Sequence, residues 1–437
     1  MSGRSVWVDY ALAAPLPLAI FAAHAAGGAR GPEAGLMLTA AAAIGLLMIW
    51  RTVQTTSAAL DYRPLYPAAA CFLSLLIFVA WTAWQPSSGL PRGPLAALVG
   101  SSKVSIQPDE TVLELTRLTG LAAAVAGGFI LGADPKRARR TVNLFLALGL
   151  VWTLAALSWF LASGQPRLSA PFVSPNVAAC LLLCLLFPVL ARTVRRLARV
   201  RGRLVDRAVK AAPYAAYAVL LIVCLTLTAS RSALALAAIL GPLMVAALLL
   251  KARPRQGIWV AGAAAAFGLG LTGLIIFADR GVFVRLSEAT VDASDRWTIL
   301  SAYWAAFLQS PVHGFGLGTA PTLAKMSMTP DNYDALWNIR AVHNVYLQWL
   351  VEGGVVGATL MFATLACLIL LAVKGAMRGA FSSLAPFFAI DLVFLMQGLA
   401  DYPLQIPSLA MTWALFLGLQ TAVAAAPVRR RRTSSPE

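Results

Sequence analysis

Long apolar runs, broken at intervals by short polar segments, set the rhythm of this chain. A membrane-crossing helix needs about 17–25 predominantly apolar residues. Twelve stretches are read as spans on that basis: 10–26, 34–50, 67–84, 111–133, 141–163, 175–191, 212–229, 232–250, 257–277, 354–373, 382–400 and 408–426. The seventh and eighth are separated only by Ser230-Arg231, which predicts a tight helical hairpin. The pattern predicts an all-α polytopic membrane protein with about twelve transmembrane helices, one integral membrane domain over residues 1–437. Composition agrees: 59% of residues are hydrophobic, 12% are charged, and mean hydropathy is +0.75. A soluble domain of this length carries about twice that share of charge. No small-residue cleavage site follows the first apolar run, so it is expected to stay as an uncleaved span.

Charge orients the spans. With the N-terminus inside, 24 of the 35 Lys and Arg residues fall in cytoplasmic segments, including Lys136–Arg140, Arg192–Lys210, Lys251–Arg255 and the basic tail 427–437. This positive-inside asymmetry puts both termini in the cytoplasm. The net charge of +17 does not point to nucleic acid, because the basic runs flank spans and lack interleaved aromatic residues. Membrane lipids are the partners such runs fit. The five cysteines lie in apolar runs without metal-site spacing, and three histidines are too few for a multi-His centre.

The opposite, outer side is irregular. It holds a Pro/Gly/Ser-rich loop at 85–110, a second loop at 164–176, and a long segment at 278–353 between the ninth and tenth spans. That length predicts a structured cap, with a helix over 293–309, a turn at Pro311–Gly318 and a polar stretch over 329–340. The segment Ala341–Gly357, AVHNVYLQWLVEGGVVG, then leads into the tenth span. If Asn344 to Glu352 is helical, His343, Leu347 and Leu350 share a face, with Tyr346 and Trp349 at headgroup level.

Candidate chemistry collects on this rim. Arg231, at the hairpin tip, fits either snorkelling to lipid phosphate or a bidentate clamp on a diphosphate. Arg296 follows Asp292 and Asp295, with Arg280 and Arg285 before it; local ion pairing and substrate binding both remain open. Arg167 precedes Pro175-Asn176, where Asn176 is expected to cap the sixth span. Asp401 in ADYPLQIP either forms a turn, orients His343 or holds an arginine. Glu114 and Arg117, three residues apart, predict a structural ion pair. Asp-x-Asp motifs, clustered carboxylates and phosphate-cradling Gly loops are missing. A diphosphate leaving group held by arginines needs no metal, and a neutral imidazole suits an acceptor hydroxyl.

In this order and on one face, the elements resemble the O-antigen ligase/polymerase superfamily. Its ligase signature, His followed by Asn, Ser or Gln, nine residues and Gly-x-x-Gly, is matched by His343-Asn344 and Gly354-Val-Val-Gly357. Thr228–Arg231, Ser174–Asn176 and Pro311–Gly316 resemble its other elements. The resemblance runs from Arg167 to the last span. It implies a bacterial inner-membrane glycosyltransferase that moves a glycan from undecaprenyl diphosphate on the periplasmic side, without metal or cofactor. By it, Arg231 and Arg296 would bind the diphosphate, with Arg285 able to replace Arg296. His343 would activate the acceptor hydroxyl, and Asp401, Asn344, Arg167 and Asn176 would support the site. The acceptor implied first is lipid A–core, as in lipopolysaccharide synthesis, with a lipid-linked repeat as the polymerase alternative. A polysaccharide-lipid transporter is the reading from another class, with Asp391 and Gln397 in its favour.

Overall fold

The computed structural model describes residues 10–56, 60–87, 94–99, 101–198, 203–252 and 296–426. The ninth predicted span, Arg280, Arg285 and the basic tail lie outside them. In chain order the helices are α1 (Pro15–Ala25), α2 (Pro32–Thr56), α3 (Tyr66–Trp84), α4 (Pro94–Val99) and α5 (Pro108–Gly132). They continue with α6 (Pro135–Ser163), α7 (Pro175–Leu197), α8 (Leu204–Leu227), α9 (Arg231–Ala252) and α10 (296–307). The last five are α11 (Ala320–Met326), α12 (Tyr333–Leu336), α13 (Val345–Gly375), α14 (Phe381–Gln397) and α15 (Pro407–Ala425). Nine apolar helical segments among the described residues are long enough to cross a membrane. One of them, Val345–Gln397, contains α13 and α14 joined by a bend at Gly379. The first predicted span is a shorter apolar helix, Tyr10–Ala25. The protein is an all-α, multi-pass membrane protein.

Proline marks many of the helix starts: Pro15, Pro32, Pro108, Pro135, Pro175 and Pro407 each open a helix, where the missing N–H costs nothing and the fixed φ is already helical. At α6 the carboxylate of Asp134 also accepts from the N–H groups of Lys136 (2.7 Å) and Arg137 (3.0 Å). Two helices, α7 and α15, are buried along nearly their whole length and form the centre. The remaining helices present Ile44, Leu47, Leu73, Ile77, Leu154 and Leu243 outward, as hydrocarbon contact demands. Helices α5 and α15 touch backbone to backbone: a Cβ on Gly418 would stand 2.1 Å from the Val125 carbonyl oxygen. Small residues allow this approach, which supplies dispersion contacts where lipid removes the hydrophobic drive.

Asp391 is buried between α14 and α15, where its carboxylate accepts from Trp413 Nε1 (2.8 Å) and Gln420 Nε2 (3.1 Å). The group is used in helix packing. Asp391→Ala should orphan both donors and cost about 1–3 kcal/mol, seen as a lowered melting temperature in detergent.

One end of the bundle carries a cap. Ile299, Tyr303 and Phe307 of α10 pack with Ile106, Phe315, Leu323, Leu336 and Val342 into a separate apolar core, closed by Tyr303 Oη donating to the Ala320 carbonyl (2.8 Å). The sequence predicts a helix over 293–309; the described part of it is 296–307.

Candidate functional site

The cap is fastened where α13 breaks. Gly354 has φ 61° and ψ −172°, far from helical values. The turn Pro311–Gly316 fills the break, and four otherwise orphaned groups find partners there. Val355 and Val356 N–H donate to the carbonyls of Pro311 (2.8 Å) and Val312 (3.3 Å); Phe315 and Gly316 N–H donate to those of Val351 (3.0 Å) and Glu352 (2.8 Å).

His343 lies just before α13 rather than on its apolar face, at φ 57°. Asn344 takes the capping role, its Oδ1 accepting from Leu347 N–H (2.9 Å) while its Nδ2 donates to the Leu399 carbonyl (3.0 Å). The expected sharing of one face by His343, Leu347 and Leu350 therefore fails, because the cap residue separates His343 from the helix. Trp349 is buried, not at the headgroups: tertiary packing turns that face of α13 inward. Tyr346 donates to the Leu395 carbonyl (2.8 Å).

His343 Nδ1 faces Asp401 Oδ1 at 3.8 Å, and the ring meets Tyr402 edge-on at 4.8 Å. Asp401 is nearly sealed, with its side chain 8% exposed against 34% for His343. Burial lowers the proton affinity of His343 below the ordinary histidine value; Asp401 opposes this, and Arg296 adds to it. The imidazole is thus neutral at pH 7, with Nδ1 turned to a carboxylate and the other nitrogen available as a base.

His343 lines a cavity of about 1230 Å³. Its walls are Leu38 of α2, Phe72 and Leu76 of α3, Leu121 and Val125 of α5, Met361, Leu365 and Leu368 of α13, and Leu417 of α15. At the cap end the lining becomes polar, with Arg30, Arg117, Arg340, Gln348, Glu352 and Tyr402. From Gln348 to Leu368 the lining follows α13 for roughly 30 Å at 1.5 Å per residue. That is about the thickness of a bilayer's hydrocarbon. The shape suits an amphiphile with a charged head.

The sequence-derived candidates distribute unevenly. His343 and Asp401 face each other, with Arg296 close enough to act on the imidazole electrostatically. Arg231 is exposed at the first turn of α9 and does not line the cavity; nor does Arg296. Arg167 binds the α8–α9 turn, donating to the carbonyls of Thr228 (2.8 Å) and Ala229 (3.2 Å). The loop carrying it also reaches Tyr402 through Ser174, so the hairpin tip and His343 occupy the same face of the bundle. Asn176 does not cap α7, because the helix opens at Pro175 and Ser174 holds the cap position. Glu114 and Arg117 form the expected ion pair. Arg285 lies outside the described residues. Reading the sequence missed Arg30, Arg340, Gln348 and Glu352; for the last two a signal existed, two polar groups at i and i+4 within an apolar helix.

Residues 216–362 match the family described as O-antigen ligase. No curated protein matches the chain. The matched segment runs from α8 into α13 and takes in Arg231, Arg296 and His343. That segment is about a third of the chain, and its match, within a multi-pass helical bundle, supports a likeness to the O-antigen ligase superfamily.

Proposed function

We propose that this protein is a glycosyltransferase of a bacterial inner membrane, moving a glycan from undecaprenyl diphosphate to a hydroxyl acceptor at the periplasmic rim. The acceptor in this reading is lipid A–core, so the reaction is O-antigen ligation. The observation that carries it is the placement of His343, paired with Asp401, at the polar end of a long apolar cavity in an O-antigen ligase-type chain. The imidazole takes the acceptor proton as the hydroxyl oxygen attacks the anomeric carbon. The bond from that carbon to the diphosphate oxygen breaks, and polyprenyl diphosphate leaves. Asp401 holds the resulting imidazolium. Guanidinium groups neutralise the leaving group in place of a metal ion. Arg231 and Arg296 take that role by resemblance, and Arg30 and Arg340 offer two more guanidinium groups within the cavity.

The direct test is transfer by purified protein from a polyprenyl diphosphate donor onto lipid A–core with chelator present. Product on lipid A–core supports ligation; elongation of the lipid-linked repeat instead means polymerase. No glycosidic product with either acceptor overturns the reading. Two further outcomes are expected. Arg30→Gln combined with Arg340→Gln should raise donor KM about tenfold or more, as loss of hydrogen bonds worth about 1.5–3 kcal/mol requires, with a smaller change in kcat. The acid limb of the kcat/KM profile should have its midpoint below about pH 6.5, since burial favours the neutral imidazole; activity holds from pH 8 through neutrality and is lost only as acid protonates the base.

A further inference from the structure

Two buried polar side chains on the first turns of α13 belong to no step of that chemistry. Glu352 is buried, 6% exposed where it borders the cavity, and its Oε1 accepts from the Ala320 N–H (3.0 Å) at the start of α11 and from Gln348 Nε2 (3.3 Å). The Gly318 N–H also bonds to this carboxylate. Gln348 is equally buried, and its Oε1 accepts from the Val342 N–H (3.3 Å). The chain of bonds therefore runs from the cap, through Glu352 and Gln348, to the N–H of Val342, the residue directly before His343.

Direction in this chain is imposed by chemistry. A backbone N–H only donates, so Gln348 must turn its carbonyl oxygen to Val342, and its NH₂ then faces Glu352 Oε1. Val342 in turn precedes a residue held at φ 57°, where an L side chain costs about 1–2 kcal/mol. Such a conformation persists only if its neighbours are fixed. On the far side they are fixed by the Asn344 cap and by Val345 N–H donating to the Gly398 carbonyl (2.7 Å). On the near side the Gln348 bond does this.

We infer that Glu352 and Gln348 are positioning residues, which hold His343 in its left-handed conformation against Asp401 by orienting the Val342 peptide. This rests on the reading of His343 as the base. Glu352→Gln places an NH₂ donor beside Gln348, which permits the Gln348 amide to turn over and sets its NH₂ against the Val342 N–H. Gln348→Leu removes the acceptor while keeping the volume.

The test uses the full-length protein in lipid nanodiscs and two readouts. The first is the rate of carbethoxylation of His343 by diethyl pyrocarbonate, followed by mass spectrometry, which needs no transfer activity. Both variants should raise that rate at least fivefold as the ring leaves Asp401 and Tyr402, with the rate at His313 unchanged as an internal control. The second is steady-state transfer: kcat should fall about 10–100-fold with donor KM within about threefold, and the double variant should be no worse than the stronger single one. An unchanged His343 rate in folded protein overturns the inference, even if transfer falls. A rate that rises equally at His313 does so too, since that reports general loosening. If Glu352→Gln fails to fold, Gln348→Leu decides alone, because it leaves the carboxylate's bonds to the cap intact; if neither folds, the pair holds the fold rather than the base and the inference fails. Persistence of transfer in His343→Ala would instead sink the base assignment, while the carbethoxylation result would still stand.

Discussion

On the proposed reading, replacing His343 with alanine should lower kcat for transfer by about 10²–10⁴-fold and leave binding of a lipid donor intact. The imidazole is the group with a neutral nitrogen at the polar end of the cavity, its other nitrogen 3.8 Å from a nearly sealed carboxylate. In the proposed reading the donor's affinity comes from elsewhere, from the apolar walls and the guanidinium groups, so a truncated ring should affect kcat and spare KM. Binding is measured by native mass spectrometry with a polyprenyl diphosphate, and transfer by product formation on the same preparation. Retention of turnover in His343→Ala would remove the base assignment; loss of donor binding with it would place the imidazole in the headgroup site instead.

The second large effect is structural. Gly354→Ala should leave little folded protein. At φ 61° and ψ −172° only glycine is at ease, and strain of this kind costs about 1–3 kcal/mol. A Cβ there would also stand 2.2 Å from the Val312 carbonyl oxygen and 2.6 Å from the His313 nitrogen, both backbone atoms of the turn that secures the cap. Neither can yield without giving up the hydrogen bonds that fill the break. Size-exclusion profiles and melting in detergent check this. A variant as stable as the parent would mean that α13 can run straight, and the cap would then need another anchor.

The same break explains what a linear reading could and could not see. Span positions were legible because length and hydropathy alone decide them: α5 to α9 and α13 to α15 coincide with predicted runs. The spacing from His343-Asn344 to Gly354-Val-Val-Gly357 was legible as a motif, and its physical content is now specific. Asn344 starts the helix, Gly354 interrupts it to receive the Pro311 turn, and Gly357 leaves room for Phe78, whose ring would be 3.0 Å from an added Cβ. Asp401 was legible as a candidate: its Oδ1 stands 3.8 Å from His343 Nδ1 and accepts from the Tyr402 N–H (2.9 Å), so both the neighbour and the turn offered by the sequence are present. What failed depended on rotation and on distance along the chain. Trp349 looked like an interfacial ring, but helix–helix packing turns it to the cavity. Asn176 looked like a cap, but proline opens the helix at 175 and puts the cap at Ser174, two residues earlier. Arg30 and Arg340 come from opposite ends of the polypeptide, and no local pattern announces that they line one cavity.

That cavity runs down alongside α13 among Phe72, Leu121, Met361 and Leu368, so a guest with a hydrocarbon chain can be accommodated without being extracted into water. Turnover then obeys two-dimensional kinetics: mixing inert phospholipid into vesicles at fixed total donor slows the reaction, while diluting the whole suspension with buffer does not.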